Sequence, residues 1–310
     1  MTGYEAVSKI MGEVKKAIVG KDEVIEVVMA TLIADGHVLI DDIPGVGKTT
    51  LALAFSKAMS LKYSRVQFTP DVLPSDVTGF TMYNRQTCEF EYKEGPVMCN
   101  LFLADEINRT TSKTQSALLE VMEEKTVTVD SVTHRLPEVF NVIATQNPVG
   151  SVGTHMLPDS QLDRFMTCVS MGYPAVEEEV ALLKAKYQNQ PLKSIRPVIN
   201  VKGLEIIKQD VANVYLSDEI YGYIANIALA TRNNTYLSLG ISPRGSVAIT
   251  KAAQGMAYLN QRNYVLPEDV NRVLFPCVRH RVILNGKAKA AKMTVKEIVE
   301  KIIHEQNKGI

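Results

Sequence analysis

The sequence predicts an α/β fold, a mostly parallel sheet covered by helices on both faces, followed by a second domain that is helical. Three observations predict it. Short apolar runs of strand length alternate with amphipathic stretches between about residues 22 and 171. After Gly172-Tyr173-Pro174 the period is helical to the end, punctuated by Pro191, Pro197, Gly240, Pro243, Pro267 and Pro276. The 310 residues, 46% hydrophobic and 22% charged, exceed one ordinary domain and supply a core without metal or disulfide support. The boundary is expected at the Gly-Tyr-Pro turn, giving domains over 1–174 and 175–310.

Taken in order, Val7, Ile10, Met11, Val14 and Ile18 follow the helical period, so the chain opens on an amphipathic helix. A second helix is expected over 22–34, with Val24, Val27, Val28, Thr31 and Leu32 on one face. Residues 37–40 read as a buried strand ending in a Gly-rich turn, and similar runs fall at 63–68, 101–104, 140–145 and 168–171. Helical segments lie at 49–59 and 114–123. Two stretches, 80–98 and 126–136, alternate polar with apolar residues and read as hairpins, the second turning at Asp130-Ser131. Beyond the boundary, Ser242-Pro243-Arg244 offers an N-cap serine and a first-turn proline, and Pro267-Glu268-Asp269 puts acids in a first turn. An amphipathic last helix over 295–304 should pack on the helical domain.

Composition narrows the function classes. Lys+Arg and Asp+Glu are both 34, which argues against a dedicated nucleic-acid binder. Arg279-His280-Arg281 with Lys287, Lys289 and Lys292 forms a basic cluster, either a solvated surface or a site for an acidic partner. There is no bilayer-length apolar run and no signal-like N-terminus, and Cys88, Cys99, Cys168 and Cys277 are scattered inert thiols, so a reducing, cytoplasmic setting is expected. His37, His134, His155, His280 and His304 lack ligand spacing, so no histidine metal centre is indicated.

The strongest motif is Pro44-Gly45-Val46-Gly47-Lys48-Thr49-Thr50, between the 37–40 strand and a helix. Glycines let backbone N–H groups converge on phosphate oxygens at a helix start, where the dipole is positive. Lys48 would reach the β- and γ-phosphates of ATP, and the Thr49 hydroxyl would ligate Mg²⁺. The pattern G-x-x-x-x-G-K-[ST] wants glycine where Asp42 stands, a residue that tolerates unusual backbone angles. Asp105-Glu106 follows the strand at 101–104: Asp105 would hold Mg²⁺ through its water shell, and Glu106 would orient and deprotonate the attacking water. Alone, such a pair also reads as the cap of a following helix. Asn147, in Ala144-Thr145-Gln146-Asn147-Pro148, could hold that water or simply turn the chain before proline.

These residues resemble the AAA+ ATPases, and closely the MoxR family. The likeness runs through Ile18-Val19-Gly20, the stretch 44–52, Val66–Asp71, Leu73–Asp76 with Gly79, Gly95-Pro96, Leu103–Thr110, Gln115–Glu120, Ala144–Pro148, Gln161–Phe165 and Ser242-Pro243-Arg244. It implies a three-layer αβα P-loop core with strand order 5-1-4-3-2 and a C-terminal helical lid. It implies that the two hairpins face a pore or a partner. It assigns Arg164 as an arginine finger entering a neighbouring subunit's site, Arg244 as the second sensor, Asn147 as the first sensor, and Val19 with Gly20 to the adenine pocket. On the residues alone, Arg164 could instead pair within the chain with Asp163 or another acid, and Arg244 could be solvated. The resemblance further implies a homo-oligomeric, hexameric ring that remodels or matures a partner protein, often one with a von Willebrand factor A domain. A nucleotide-gated scaffold and a DNA-translocating motor are the rival expectations.

Overall fold

The protein's structure, a computed structural model, describes residues 1–147, 157–188 and 191–307. Its first part contains strands β1 (Val38–Asp41), β2 (Tyr63–Gln67), β3 (Gly79–Asn84), β4 (Glu89–Glu94), β5 (Leu101–Asp105), β6 (Thr126–Val129), β7 (Val132–Arg135), β8 (Asn141–Gln146) and β9 (Thr167–Val169). Helices α1 (Gly3–Lys15), α2 (Asp22–Ile33), α3 (Lys48–Ala58), α4 (Pro74–Thr78), α5 (Ser112–Glu124) and α6 (Asp159–Leu162) lie among them. The rest holds α7 (Val176–Gln188), α8 (Val201–Ala212), α9 (Asp218–Arg232), β10 (Leu237–Leu239), α10 (Pro243–Leu259), α11 (Pro267–Val278), β11 (Ile283–Leu284), α12 (Gly286–Ala290) and α13 (Val295–Asn307).

Five parallel strands form the central sheet in the order β2-β5-β8-β1-β9. Numbered among themselves along the chain they run 2-3-4-1-5, the expected order read from the other edge. Side chains alternate across this sheet: Val38, Ile40, Leu101 and Leu103 join one apolar cluster, while Leu39, Phe102 and Ala104 join the other. Helices α1, α2 and α3 cover the first face, and α5 covers the second with Leu118, Leu119 and Met122. All strands point the same way, so the turns after β1, β5 and β8 gather at one edge and build the site there.

The α2 expectation needs correction. From Val27 to Ile33 every residue is buried, rather than one face of them. The cause is a second cover: α10 crosses the outer side of α2 so closely that a Cβ on Gly255 would lie 2.4 Å from the Ala30 carbonyl oxygen. The C-terminal part is also not purely helical, because β10 and β11 pair as a small antiparallel ribbon.

Both expected hairpins form, β3 with β4 and β6 with β7. Asp130 and Ser131 both take positive φ, as a two-residue turn matched to strand twist requires. The two hairpins touch through Tyr92 and His134, whose rings stack at 3.9 Å. Pro148 and His155 lie outside the described residues. Among the described residues, no helix is long and apolar enough to cross a membrane.

Candidate active site

The loop after β1 carries Gly45 and Gly47 at φ +87° and +97°, angles that side chains rarely adopt. No atom lies within 4 Å of a Cβ built on Gly45. Pro44 and Gly45 are exposed, Val46 packs half-buried on the core, and α3 begins at Lys48 with Thr49 and Thr50 in its first turn. The N–H groups of that turn lack partners within the helix.

Asp42 does not sit here through tolerance of unusual angles, since its φ is not among the positive ones. Its carboxylate works as a staple instead. Oδ2 accepts from Ser170 Oγ, Met171 N and Gly172 N at 2.9, 2.5 and 2.7 Å, and Oδ1 accepts from Ile43 N at 2.8 Å. The loop is thereby tied to the chain leaving β9.

Lys48 is buried and donates to Asp42 O at 2.6 Å, Gln146 O at 3.1 Å and Asn147 Oδ1 at 3.3 Å. Burial pushes its ammonium below the usual lysine range, against the pull of Asp42, Asp105, Asp41 and Glu106. Asn147 faces both ways, since its Nδ2 donates to Glu106 Oε1 at 3.0 Å. Asn108 fixes Asn147 in turn, donating to its carbonyl at 3.0 Å and accepting from its N–H at 3.3 Å.

Asp105 ends β5 and Glu106 follows in the left-handed region, φ 58° and ψ 46°. That conformation costs about 1–2 kcal/mol for an ordinary residue. Thr145 on β8 holds it: its hydroxyl donates to Asp105 Oδ1 at 2.7 Å and accepts from Glu106 N at 2.8 Å. Partial burial pushes the Glu106 carboxyl up, but hydrogen bonds from Arg109, at 2.9 Å, and Asn147 outweigh it and hold the group below the ordinary carboxylate range. An ionised carboxylate at neutral pH has the form a general base needs.

Thr49 Oγ1 lies 3.5 Å from Asp105 Oδ2, an all-oxygen pair of the kind Mg²⁺ takes when substrate phosphates and waters complete its shell. Arg65 on β2 reaches the same oxygen, with Nη2 at 2.6 Å and Nε at 3.1 Å. Sequence reasoning gave no role to Arg65, Asn108, Arg109 or Thr145. A signal for Arg65 was present: strand alternation puts residues 63, 65 and 67 on one face, and Gln67 pairs in register with Asp105 and hydrogen-bonds Glu106.

Residues 18–20 come to the other side of the loop. A Cβ on Gly47 would lie 4.0 Å from Ile18 Cδ1 and 3.7 Å from Met171 Cε. Val19 is half-buried, and Gly20 has φ +72° with the Glu178 carboxylate against it.

Arg164 and Arg244 stand elsewhere. Both reach Glu123 in the last turn of α5, Arg244 Nη2 to Oε1 at 2.5 Å and Arg164 Nη2 to Oε2 at 3.1 Å. Helix α5 starts near the acids of β5, with Gln115 donating to Ile107 O, and ends beside His37, whose ring contacts Met122 O. Met166 N also donates to His37 O, just before β1 begins. The two arginines therefore lie toward the sheet edge opposite the phosphate loop, with the four residues of β1, about 13 Å of strand, between the two edges.

Asp163, the other acid considered for Arg164, is engaged by Arg281 Nε at 2.7 Å and Ser242 Oγ at 2.8 Å. Arg281 is buried and also donates to the carbonyls of Asp163, Phe165, Met166 and Cys277. The basic cluster at 279–281 is thus not one solvated surface: Arg281 is an internal tie, and His280 contacts Phe165 O at 3.0 Å.

Known proteins resemble this chain over most of its length. Residues 37–167 match the ATPase family associated with various cellular activities (AAA), and residues 229–302 match an AAA lid domain. The uncharacterized protein YeaC of Bacillus subtilis is 45% identical over 97% of this chain and 94% of its own. The chaperone MoxR1 of Mycobacterium tuberculosis is 35% identical over 94% of this chain and 79% of its own. A solved structure from Cytophaga hutchinsonii, assigned as an ATPase, superposes with a TM-score of 0.90 at 35% identity, covering 97% of this chain and 94% of that one.

Proposed function

This chain belongs to the MoxR family of AAA+ ATPases and hydrolyses ATP, and we propose that it spends that energy as a chaperone-like factor remodelling or maturing a partner protein, in an oligomeric ring. One observation carries the site: Lys48, Asn147 and Glu106 form a continuous chain of contacts beside Thr49 and Asp105. In this reading Pro44–Thr50 and Lys48 bind the phosphates, Val19 and Gly20 border the adenine, and Thr49 with Asp105 holds Mg²⁺. When bound, the ion would neutralise phosphate charge. Glu106 takes the proton of the attacking water, and Asn147 orients both. A core over 1–174 and a lid over 175–310 form the working parts.

Arg164 and Arg244 complete the site of a neighbouring subunit. Their position at the edge away from their own loop supports this, because both pair with Glu123 there. A hexamer suits such head-to-tail sharing.

The β3–β4 hairpin supports a protein partner. Phe80, Met82, Tyr83 and Phe90 are exposed on it, among Glu89, Glu91 and Glu94. With Arg85 and Lys93 set against these three acids, the hairpin carries no basic excess to hold a nucleic-acid backbone, which weighs against the DNA motor. A von Willebrand factor A domain is the partner class the family suggests.

A second reading, a nucleotide-gated scaffold with slow turnover, draws on the arginines that occupy both acids, Arg65 on Asp105 and Arg109 on Glu106. Steady-state ATPase assays with and without client separate the two, since only the scaffold turns over slowly regardless of partner.

Glu106→Gln tests the site itself. ATP binding should persist while turnover falls by about 10²–10⁴-fold. Turnover near the parent rate would show that another group is the base.

A further inference from the structure

On the proposed reading, Arg164 and Arg244 act on another subunit's phosphate, and in the single subunit both rest on one anion, Glu123. We propose that Glu123 is a positioning residue that holds Arg164 and Arg244 side by side as a stand-in for the neighbouring subunit's γ-phosphate and yields them when that phosphate arrives. The proposal rests on the reading of both arginines as acting between subunits.

Glu123 gives one oxygen to each arginine, Oε1 to Arg244 and Oε2 to Arg164. A phosphate would take two guanidinium groups in the same way, through separate oxygens of one anion. Local helix energetics do not explain an acid at this place. The last turn of α5 contains Glu123 and Glu124 and no basic residue, against the negative end of the helix dipole. The one cation next in the chain, the C-cap Lys125, is engaged by Asp35, and the arginines supply the compensation for Glu123. Asp163 is nearer to Arg164 in sequence but is held by Arg281 and Ser242.

That brace also fixes the pair's spacing. Asp163 precedes Arg164 in the chain, and Ser242 caps the helix on which Arg244 stands two residues later. One carboxylate thus ties the two arginine-bearing segments together. Arg164 Nε is buried and, among the described residues, has no hydrogen-bond partner, so the guanidinium is not fully satisfied where it rests.

The strength of the contact suits a temporary hold. The Arg164, Arg244 and Glu123 side chains are 29%, 46% and 38% exposed. Ion pairs this open shift an equilibrium by a factor of about 1.4 to 5 each. An arginine inserted into a phosphoryl-transfer site is worth about 10³–10⁵ in rate. Glu123 therefore biases the free subunit without trapping it.

The test is sedimentation velocity with ATP and Mg²⁺ in a Glu106→Gln background, which removes hydrolysis. Adding Glu123→Gln should lower the protein concentration for half-assembly by about threefold to tenfold, because the arginines no longer leave a carboxylate. Assembly without nucleotide should not change. An unchanged or higher concentration overturns the proposal. Arg164→Ala in the same background separates the two levels. If it raises the half-assembly concentration while Glu123→Gln does not lower it, the role of Glu123 falls and the shared site stands. If Arg164→Ala has no effect, the shared-site reading falls and takes this proposal with it. Glu123→Ala is the second neutral variant and should move assembly in the same direction. Loss of the folded state in both neutral variants would show Glu123 to be a structural residue, and would overturn the proposal.

Discussion

Four donors converge on the carboxylate of Asp42, from Ile43, Ser170, Met171 and Gly172. Burial pushes this carboxyl up, but the hydrogen bonds prevail and leave it below the ordinary range. A group lowered in the folded state stabilises fully above its unfolded pKa of about 3.9, and that stability is lost as pH falls through the lower folded value. Asp42→Asn points an amide donor at other donors, so it should cost about 2 kcal/mol at neutral pH and progressively less toward the acid limit. Urea unfolding at several pH values checks this, and a cost independent of pH would contradict it. Residues 44–50 and 105–106 were legible because each group is contiguous, and the motif is itself the local geometry. The true work of Asp42 was not, because three of its four partners lie 128 to 130 positions away. The roles of Arg65, Asn108 and Thr145 were hidden for a related reason, their partners lying about 40 positions away, whereas Arg109 pairs with Glu106 only three residues before it. Arg65 matters only once β2 lies beside β5, and Thr145 only once β8 does.

At the scale of elements, periodicity placed the five strands of the central sheet, both hairpins and helices α2, α3, α5 and α13 to within a few residues, but missed the β10–β11 ribbon. It mistook α2 for a one-faced helix because a pattern of apolar positions does not reveal how many neighbours cover them. Gly255 shows what the second cover requires. By helix propensity, Gly255→Ala inside α10 should stabilise by about 1 kcal/mol. The new Cβ, however, would meet the Ala30 carbonyl oxygen at 2.4 Å, and overpacking of that kind costs about 1–3 kcal/mol or more. Overpacking wins, so the melting temperature should fall by several degrees. Gly12→Ala in α1 meets nothing within 4 Å and should raise it slightly. Differential scanning calorimetry of both variants decides the matter, and a gain from Gly255→Ala would show that α10 does not press on α2 in solution.

At the scale of the whole molecule, the sheet separates two functions. Its C-terminal edge gathers Lys48, Thr49, Asp105, Glu106 and Asn147, and its opposite edge presents Arg164 and Arg244 on Glu123. The family resemblance named these arginines, but their separation from their own loop became visible only when α5 was seen to run from one edge to the other. In the proposed ring, such a subunit would hold half of two sites rather than all of one. The most direct measurement mixes Arg164→Ala protein with Asp105→Asn protein and follows ATP hydrolysis across mixing ratios. Activity above the sum of the separate variants is predicted, because mixed rings regain interfaces with both residues intact; no gain at any ratio would contradict a site shared between subunits.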